Sequence, residues 1–376
     1  MWSGLQRELR YLIEHKWDLS MVTIVPLLVI VLFSAMFYEG KAEHLPIAII
    51  DQDHSQLSEN IDQYLSHNNA LKISLRSTDL QHAEQQLNSN QIWGYVLIPA
   101  GAEQRLVQAK DAQIAVAFNQ SYFSVGNSIS SAMYVSTLKA TADYLGEDYM
   151  SNLLLDLDIP TAHVKVSTLY NPSLNYEFYL LPFMIPAVLH LLLCCCVAFA
   201  IGQEFKYNTA AQWLQSPAAM ASFGSKILVY ILIFTLWTWL WMYWLIVIRG
   251  WFVAGHLWII LLAQFLLYSA YALMSACVIL ATKDLAKTFG VIAVYGGSSL
   301  SFAGVTLPLN NAAPFTQFWS ALIPYTPYAK LQTQQWVIGS PLSSSLSQLW
   351  VIVLFCLIFT VLSLLLLKRY KKGAGL

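Results

Sequence analysis

The chain has 376 residues, of which 57% are hydrophobic, 14% aromatic and only 11% charged, where a soluble domain usually carries about 25% charged residues. The net charge of −1 implies nothing about nucleic acid, but no basic patch interleaved with aromatics is present, and no nucleic-acid partner is expected. The five cysteines, Cys194, Cys195, Cys196, Cys277 and Cys356, all lie in apolar stretches, which excludes a disulfide framework for the polar part of the chain.

A bilayer core of about 30 Å needs roughly 20 apolar residues per helix. Behind an amphipathic N-terminal segment at 1–20, residues 21–38 are the first such stretch. The polar lead and the absence of a small-residue cleavage site after Tyr38 mark it as a retained span rather than a signal peptide. Pro26 is expected in its first turns, where a missing N–H is tolerated best.

Residues 40–176 are ordinary polar sequence, with sixteen Asp or Glu from Glu39 to Glu177 against seven Lys or Arg. Apolar runs at 45–50, 71–75, 92–98 and 112–118 read as strands, and 163–169 as a last one. Between them Leu57, Ile61, Tyr64 and Leu65 recur at helical spacing, 78–87 is helical, and 121–155 is a long helical stretch. Strands separated by helices predict an α/β domain. Asp51 and Asp53 begin like a Ca²⁺ loop, but its glycine and terminal Glu are missing, so a turn that caps the next helix is expected. His44, His54, His67, His82 and His163 have no metal-ligand spacing.

Five further spans follow at 180–201, 226–248, 257–281, 286–307 and 349–367, six in all in a one-plus-five layout. Lys and Arg in short loops set orientation. Eleven basic residues, from Arg7 to Lys372, fall on one side, against Arg249 and Lys330 opposite. Both termini, including a tail at 368–376, are therefore expected in the cytoplasm and 40–176 outside it. The predicted fold class is an α-helical polytopic membrane protein with an inserted α/β extracytoplasmic domain.

His190 is the ionisable residue well inside a span, and such groups are costly in lipid. A functional role and a neutral imidazole bonded to a neighbouring helix both stay open. Span five carries Thr288, Tyr295, Gly296, Gly297, Ser298, Ser299, Ser301 and Gly304, which allow close helix packing or line a path. The candidate path residues are His190, Tyr295, Ser298, Ser299 and Ser301. Trp237, Trp239, Trp241 and Trp244 read as an interfacial belt. Residues 308–347, punctuated by Pro308, Pro314, Pro324, Pro327 and Pro341, read as short helices dipping into the outer leaflet.

Between spans two and three, 202–225 is a cytoplasmic segment in which Phe205, Trp213 and Leu214 can share a helix face that Pro217 ends. Such a helix either floats at the lipid interface or is gripped by a cytoplasmic partner. The segment is similar to the signature of permease subunits of ABC-2 type exporters. Glu204, Thr209, Gln212, Leu214, Pro217, Gly224 and Lys226 match it, while Gln203, Lys206 and Asn208 depart from it. The Asp-x-Asp-x-Ser within 45–58 resembles the start of the extracytoplasmic domain of the drug-export branch. Leu307-Pro-Leu, 323–328 and Gly339 resemble that branch's segment between spans five and six.

The resemblance implies a bacterial inner-membrane permease for drugs, other hydrophobic small molecules or lipids, working by alternating access at a dimer interface. It implies a homodimer or heterodimer with a second permease, membrane lipids around it and, in some systems, a periplasmic adaptor. It also implies a separate nucleotide-binding ABC ATPase that holds ATP and Mg and is contacted by Glu204, Phe205, Lys206, Tyr207, Thr209, Trp213, Leu214 and Pro217. A P-loop needs G-x-x-x-x-G-K-[S/T]. Gly224-Ser-Lys226 does not qualify, because position 219 is Ala and Ile227 follows the lysine. No cofactor, metal or catalytic constellation is expected in this chain. The alternative is a membrane receptor whose outer domain binds a ligand.

Overall fold

The computed structural model describes residues 2–38, 43–108, 110–119, 123–145, 171, 175–207, 209–210, 219–306, 309–310 and 312–373. It divides into two units, one formed by Met1–Gly40 with Thr168–Leu376 and the other by Lys41–Ser167.

In the inserted unit the strands are β1 (Leu45–Asp51), β2 (Leu71–Ser77), β3 (Gly94–Ile98) and β4 (Ala115–Phe118), in the order β2-β1-β3-β4. β1 pairs in parallel with β2 and β3, and β4 closes the edge antiparallel to β3. Successive side chains of a strand face opposite ways, so the apolar run of β1 feeds two cores. Ile47 and Ile49 pack with Leu57, Ile61, Leu65, Ile129 and Met133 on one face. Ala48 and Ile50 pack with Ala83 and Ile92 on the other. The first face is covered by α3 (Gln56–Ser66), α5 (Ala102–Val107) and α6 (Phe123–Asp143), the second by α4 (Leu80–Asn88). Burial on both faces is what a parallel strand needs. The strand expected at 163–169 lies outside the described residues.

The other unit is helical. An amphipathic α1 (Trp2–Glu14) precedes α2 (Lys16–Met36), α7 (Tyr176–Lys206), α8 (Ala219–Tyr243, continued by a π turn at Trp244–Ile248) and α9 (Leu257–Thr282). After these come α10 (Leu285–Tyr295), α11 (Ser299–Phe302), α12 (Pro314–Ala321), α13 (Tyr325–Gln332, continued by a π turn at Thr333–Ile338) and α14 (Leu342–Gly373). Among the described residues, five helices are long and apolar enough to cross a membrane. Leu193, Phe234, Leu267, Tyr268 and Tyr271 are fully buried at their centre. α2 and α14 instead leave Leu28, Val31, Leu354, Leu357 and Val361 exposed, as helices facing lipid do.

Three expectations change. The first span begins at Lys16 rather than Met21, which places Pro26 in the helix interior. Proline there leaves the carbonyl four residues back without its partner, and the Trp237 indole donates to that Val22 carbonyl at 2.9 Å. Pro182 in α7 frees the Phe178 carbonyl in the same way, and the Trp336 indole donates to it at 3.1 Å. Trp237, expected only as part of an interfacial belt, thus also caps a broken ladder. The third change is span five, expected as one helix over 286–307: the structure has the 11-residue α10, a turn at 296–298 and the four-residue α11. Consecutive glycines weaken a helix. Gly296 also sits close to its neighbours, since a Cβ there would come within 2.6 Å of Leu191 Cδ2 and 2.8 Å of the Ile292 carbonyl oxygen, so a larger residue would have to displace them.

Candidate functional site

The segment expected to meet an ATPase leaves α7 at Lys206 and rejoins the bundle at the start of α8. Its middle, including Trp213, Leu214 and Pro217, lies outside the described residues. Both of its roots are described, and they are tied together. Lys226 Nζ meets Glu204 Oε1 at 2.7 Å, with 14% and 15% of the two side chains exposed. Thr209 donates from Oγ1 to the second Glu204 oxygen, and its N–H donates to the Glu204 carbonyl at 3.0 Å. Glu204 therefore has its charge and both oxygens engaged within the chain rather than offered outward.

Neighbouring side chains divide by exposure. Phe205 turns into the bundle and meets the Tyr370 ring edge-on at 5.5 Å, and Lys283 Nζ lies 4.7 Å over the same ring. Lys206 and Tyr207 are exposed, and the ammonium of the first sits 5.7 Å from the ring of the second. Of the described residues expected to contact a partner, Lys206 and Tyr207 are the ones presented. Glu204, Phe205 and Thr209 brace them.

α1 is held against the same corner, and its role was not visible in the sequence. Tyr230 of α8 donates to Glu8 at 3.1 Å, and Tyr11 donates to Gln203 of α7. Burial raises the Glu8 carboxyl above its ordinary range, against the pull of Lys226 and the Tyr230 hydroxyl. Gly4 allows the approach, since a Cβ there would fall 2.2 Å from Ser225 Oγ. An acid on the polar-to-apolar border of an amphipathic helix was the available signal.

At the opposite end of the spans Arg249 grips the fully buried Glu177 through two contacts of 2.8 Å, and the Trp251 indole donates to the same carboxylate at 2.7 Å. Arg249 also donates to the Tyr38 carbonyl and lies 4.1 Å over the Tyr38 ring. The end of the first span, the start of the second and the end of the third are thereby fastened around one ion pair. Removing one partner of a buried pair costs about 3–5 kcal/mol, because the other charge is stranded.

The candidate path residues are only partly brought together. His190 is fully buried, with Nδ1 3.1 Å from the Pro186 carbonyl and its ring 4.0 Å from that of Tyr271. The Tyr271 and Ser299 hydroxyls share a hydrogen bond, and Tyr295 lies beside Tyr271 while donating to the Leu322 carbonyl. Ser298 accepts from the Trp319 indole at 2.9 Å. Ser301 is exposed and apart from this group. His190, Tyr295 and Ser299 thus form one polar knot, buried at His190 and Ser299 and half-buried at Tyr295, that joins α7, α9 and α10 to the short helices, with its hydroxyls already paired.

In the inserted unit the expected cap of the next helix is instead Ser55, which caps α3, while Asp51 closes the preceding turn and Asp53 reaches a later helix. Asp51 Oδ1 accepts the N–H groups of Asp53 and His54, each at 3.0 Å. Asp53 accepts from Gly101, Ala102 and Glu103 N–H at 2.6, 3.1 and 3.0 Å, which closes the start of α5. Among the described residues no His, Cys, Asp and Glu group could hold a metal ion.

A family model described as ABC-2 family transporter protein matches residues 16–365. No curated protein matches the chain.

Proposed function

This chain belongs to the ABC-2 family of transporter proteins, and on that premise we propose that it works as a dimer by alternating access, exporting hydrophobic small molecules or lipids. As a member it is a multi-pass membrane protein, the transport component rather than an enzyme, and the partner of an ABC ATPase. ATP and Mg belong to that ATPase. The proposal puts Lys206, Tyr207, Trp213, Leu214 and Pro217 against it in the cytoplasm, with both termini on the same side and the inserted domain outside a bacterial inner membrane. The second permease is another copy or a sister chain, and a periplasmic adaptor would extend the route. Membership of a transporter family takes the place of the receptor alternative.

The observation that supports the coupling role most directly is the Glu204–Lys226 ion pair. It fastens the end of α7 to the start of α8, so a push on the segment between them moves two spans as one body instead of bending a loop. ATP-driven closure of the partner would use this connection to switch the spans between inward-open and outward-open states.

Charge exchange tests the connection. Glu204→Lys alone and Lys226→Glu alone should each lower ATPase stimulation at least tenfold, the equivalent of about 1.4 kcal/mol. The double exchange should restore most of it. Failure of the double exchange, with the protein still inserted, would show that Glu204 acts on the partner directly and not as a brace.

A further inference from the structure

Two depressions adjoin where α1 passes into α2 at His15 and α7 runs out at Lys206. One is an apolar groove of about 270 Å³ among Met21, Leu192, Cys196, Phe199 and Phe289. The other is polar, about 610 Å³, among Tyr11, Lys16, Gln203, Glu204 and Tyr207. Trp17 and Asp18 line both, so the two form one amphipathic recess.

The charges in the recess narrow its occupant. Glu204 is neutralised by Lys226 at 2.7 Å. His15 also lines the polar depression, with its Nδ1 2.9 Å from the Tyr11 carbonyl. Lys16 and Asp18 remain, and among the described residues neither takes part in an ion pair. Residues two apart on a helix are not paired neighbours, and no ion pair among the described residues joins Lys16 to Asp18. Asp18 lines both depressions, beside the Tyr11 hydroxyl. The recess therefore offers one separated cation, one separated anion and an aromatic-lined apolar channel. Its level is that of a headgroup, because Lys16 and Trp17 open the apolar helix α2.

We propose that this recess binds a zwitterionic phospholipid, with its phosphate at Lys16, its ammonium at Asp18 and one acyl chain in the groove beside Phe199 and Phe289. An anionic lipid would meet the Asp18 carboxylate, and a lone amphipathic cation would meet Lys16. The site is independent of whether the protein exports anything.

The test is native mass spectrometry of the full-length protein released from nanodiscs of equal phosphatidylethanolamine and phosphatidylglycerol. The wild type should retain phosphatidylethanolamine preferentially. Lys16→Gln and Asp18→Asn should each reduce that retention by about fivefold, the size of one lost surface charge contact. Equal retention of the two lipids by the wild type would overturn the proposal, as would an unchanged preference in both variants. A second readout needs no charge variant. Phosphatidylethanolamine with brominated chains should quench tryptophan fluorescence more than brominated phosphatidylglycerol, and Trp17→Phe should remove that difference. A difference that survives Trp17→Phe would place the lipid elsewhere and overturn the site.

Discussion

Proline at position 26 removes the N–H that would have bonded the Val22 carbonyl, and Trp237 of the neighbouring helix supplies one in its place. A buried carbonyl without a partner costs about 1–3 kcal/mol, more than a typical hydrogen bond contributes. Trp237→Phe keeps the ring and removes the donor, so it should destabilise the detergent-solubilised protein by about 1–3 kcal/mol. Adding Pro26→Leu restores the helix's own N–H and should recover most of that loss. A thermal unfolding series on the wild type, the single variants and the double variant reads both effects. Equal losses in Trp237→Phe and in the double variant would show that the indole matters for packing alone. Hydropathy suggested an interfacial tryptophan here, because a single sequence shows that an indole is amphipathic and not which carbonyl lies opposite it. Glu177 and Arg249 were hidden for the same reason: 72 residues apart, they read as loop charges until the spans are placed side by side.

Elements were legible where one period dominated. The run Ile47 to Ile50 is apolar on both sides, as a central parallel strand must be, and it became β1. The membrane-length helices were visible because lipid forces each backbone group to be satisfied within its own helix. Span five was expected as one helix because hydropathy counts Gly296 and Gly297 as tolerable in an apolar run; the regular helix ends at Tyr295, although Gly296 keeps helical dihedrals and leaves room for Leu191. The Asp-x-Asp cluster was legible as a turn, but Ser55 rather than either aspartate caps the next helix, and Asp53 closes α5, which lies 48 residues further on. Burial works against the ionised form of Asp53, yet hydrogen bonds from Ser55 and from the N–H groups of Glu103, Gly101 and Ala102 hold its carboxyl below its usual range. A folded pKa below the unfolded value of about 3.9 stabilises the fold fully above that pH, and the contribution is lost as pH falls through the folded pKa. The Lys41–Ser167 fragment, which has its own two cores, should therefore melt progressively lower as pH drops below about 3.9. Asp53→Ala should start about 1 kcal/mol less stable, the worth of a cap, and show a flatter acid limb. Circular dichroism melts from pH 7 to pH 2 measure both, and identical limbs in the two proteins would remove the cap from the account.

For the whole molecule, Lys and Arg placement was the part of the sequence that spoke to orientation, and it concerns the compartment each end faces rather than any contact. Ser66 is exposed at the end of α3 in the inserted domain, and Ser216 belongs to the segment between α7 and α8. In a background without the native cysteines, Ser66→Cys should react with a membrane-impermeant maleimide on intact cells. Ser216→Cys should react only after permeabilisation. Labelling of Ser216→Cys from outside would invert the topology and remove the segment from any cytoplasmic partner.

The candidate site was half legible for a physical reason. The run from Glu204 to Pro217 carries a local pattern, whereas the closure of its roots by Lys226, and the docking of Glu8 and Tyr11 on α8 and α7, depend on tertiary proximity. The central claim is that this segment transmits ATP-driven motion to the spans. Interfaces concentrate their energy in a few aromatic and charged anchors, with truncations costing about 2 kcal/mol or more. The most direct measurement is co-purification of the ATPase subunit, with its stimulated ATP turnover, for Tyr207→Ala and Trp213→Ala in reconstituted membranes. The account predicts that both variants insert normally and that Trp213→Ala loses the bound ATPase and its stimulated turnover. Wild-type binding and turnover in both variants would contradict it, and would leave the segment as a lipid-surface anchor.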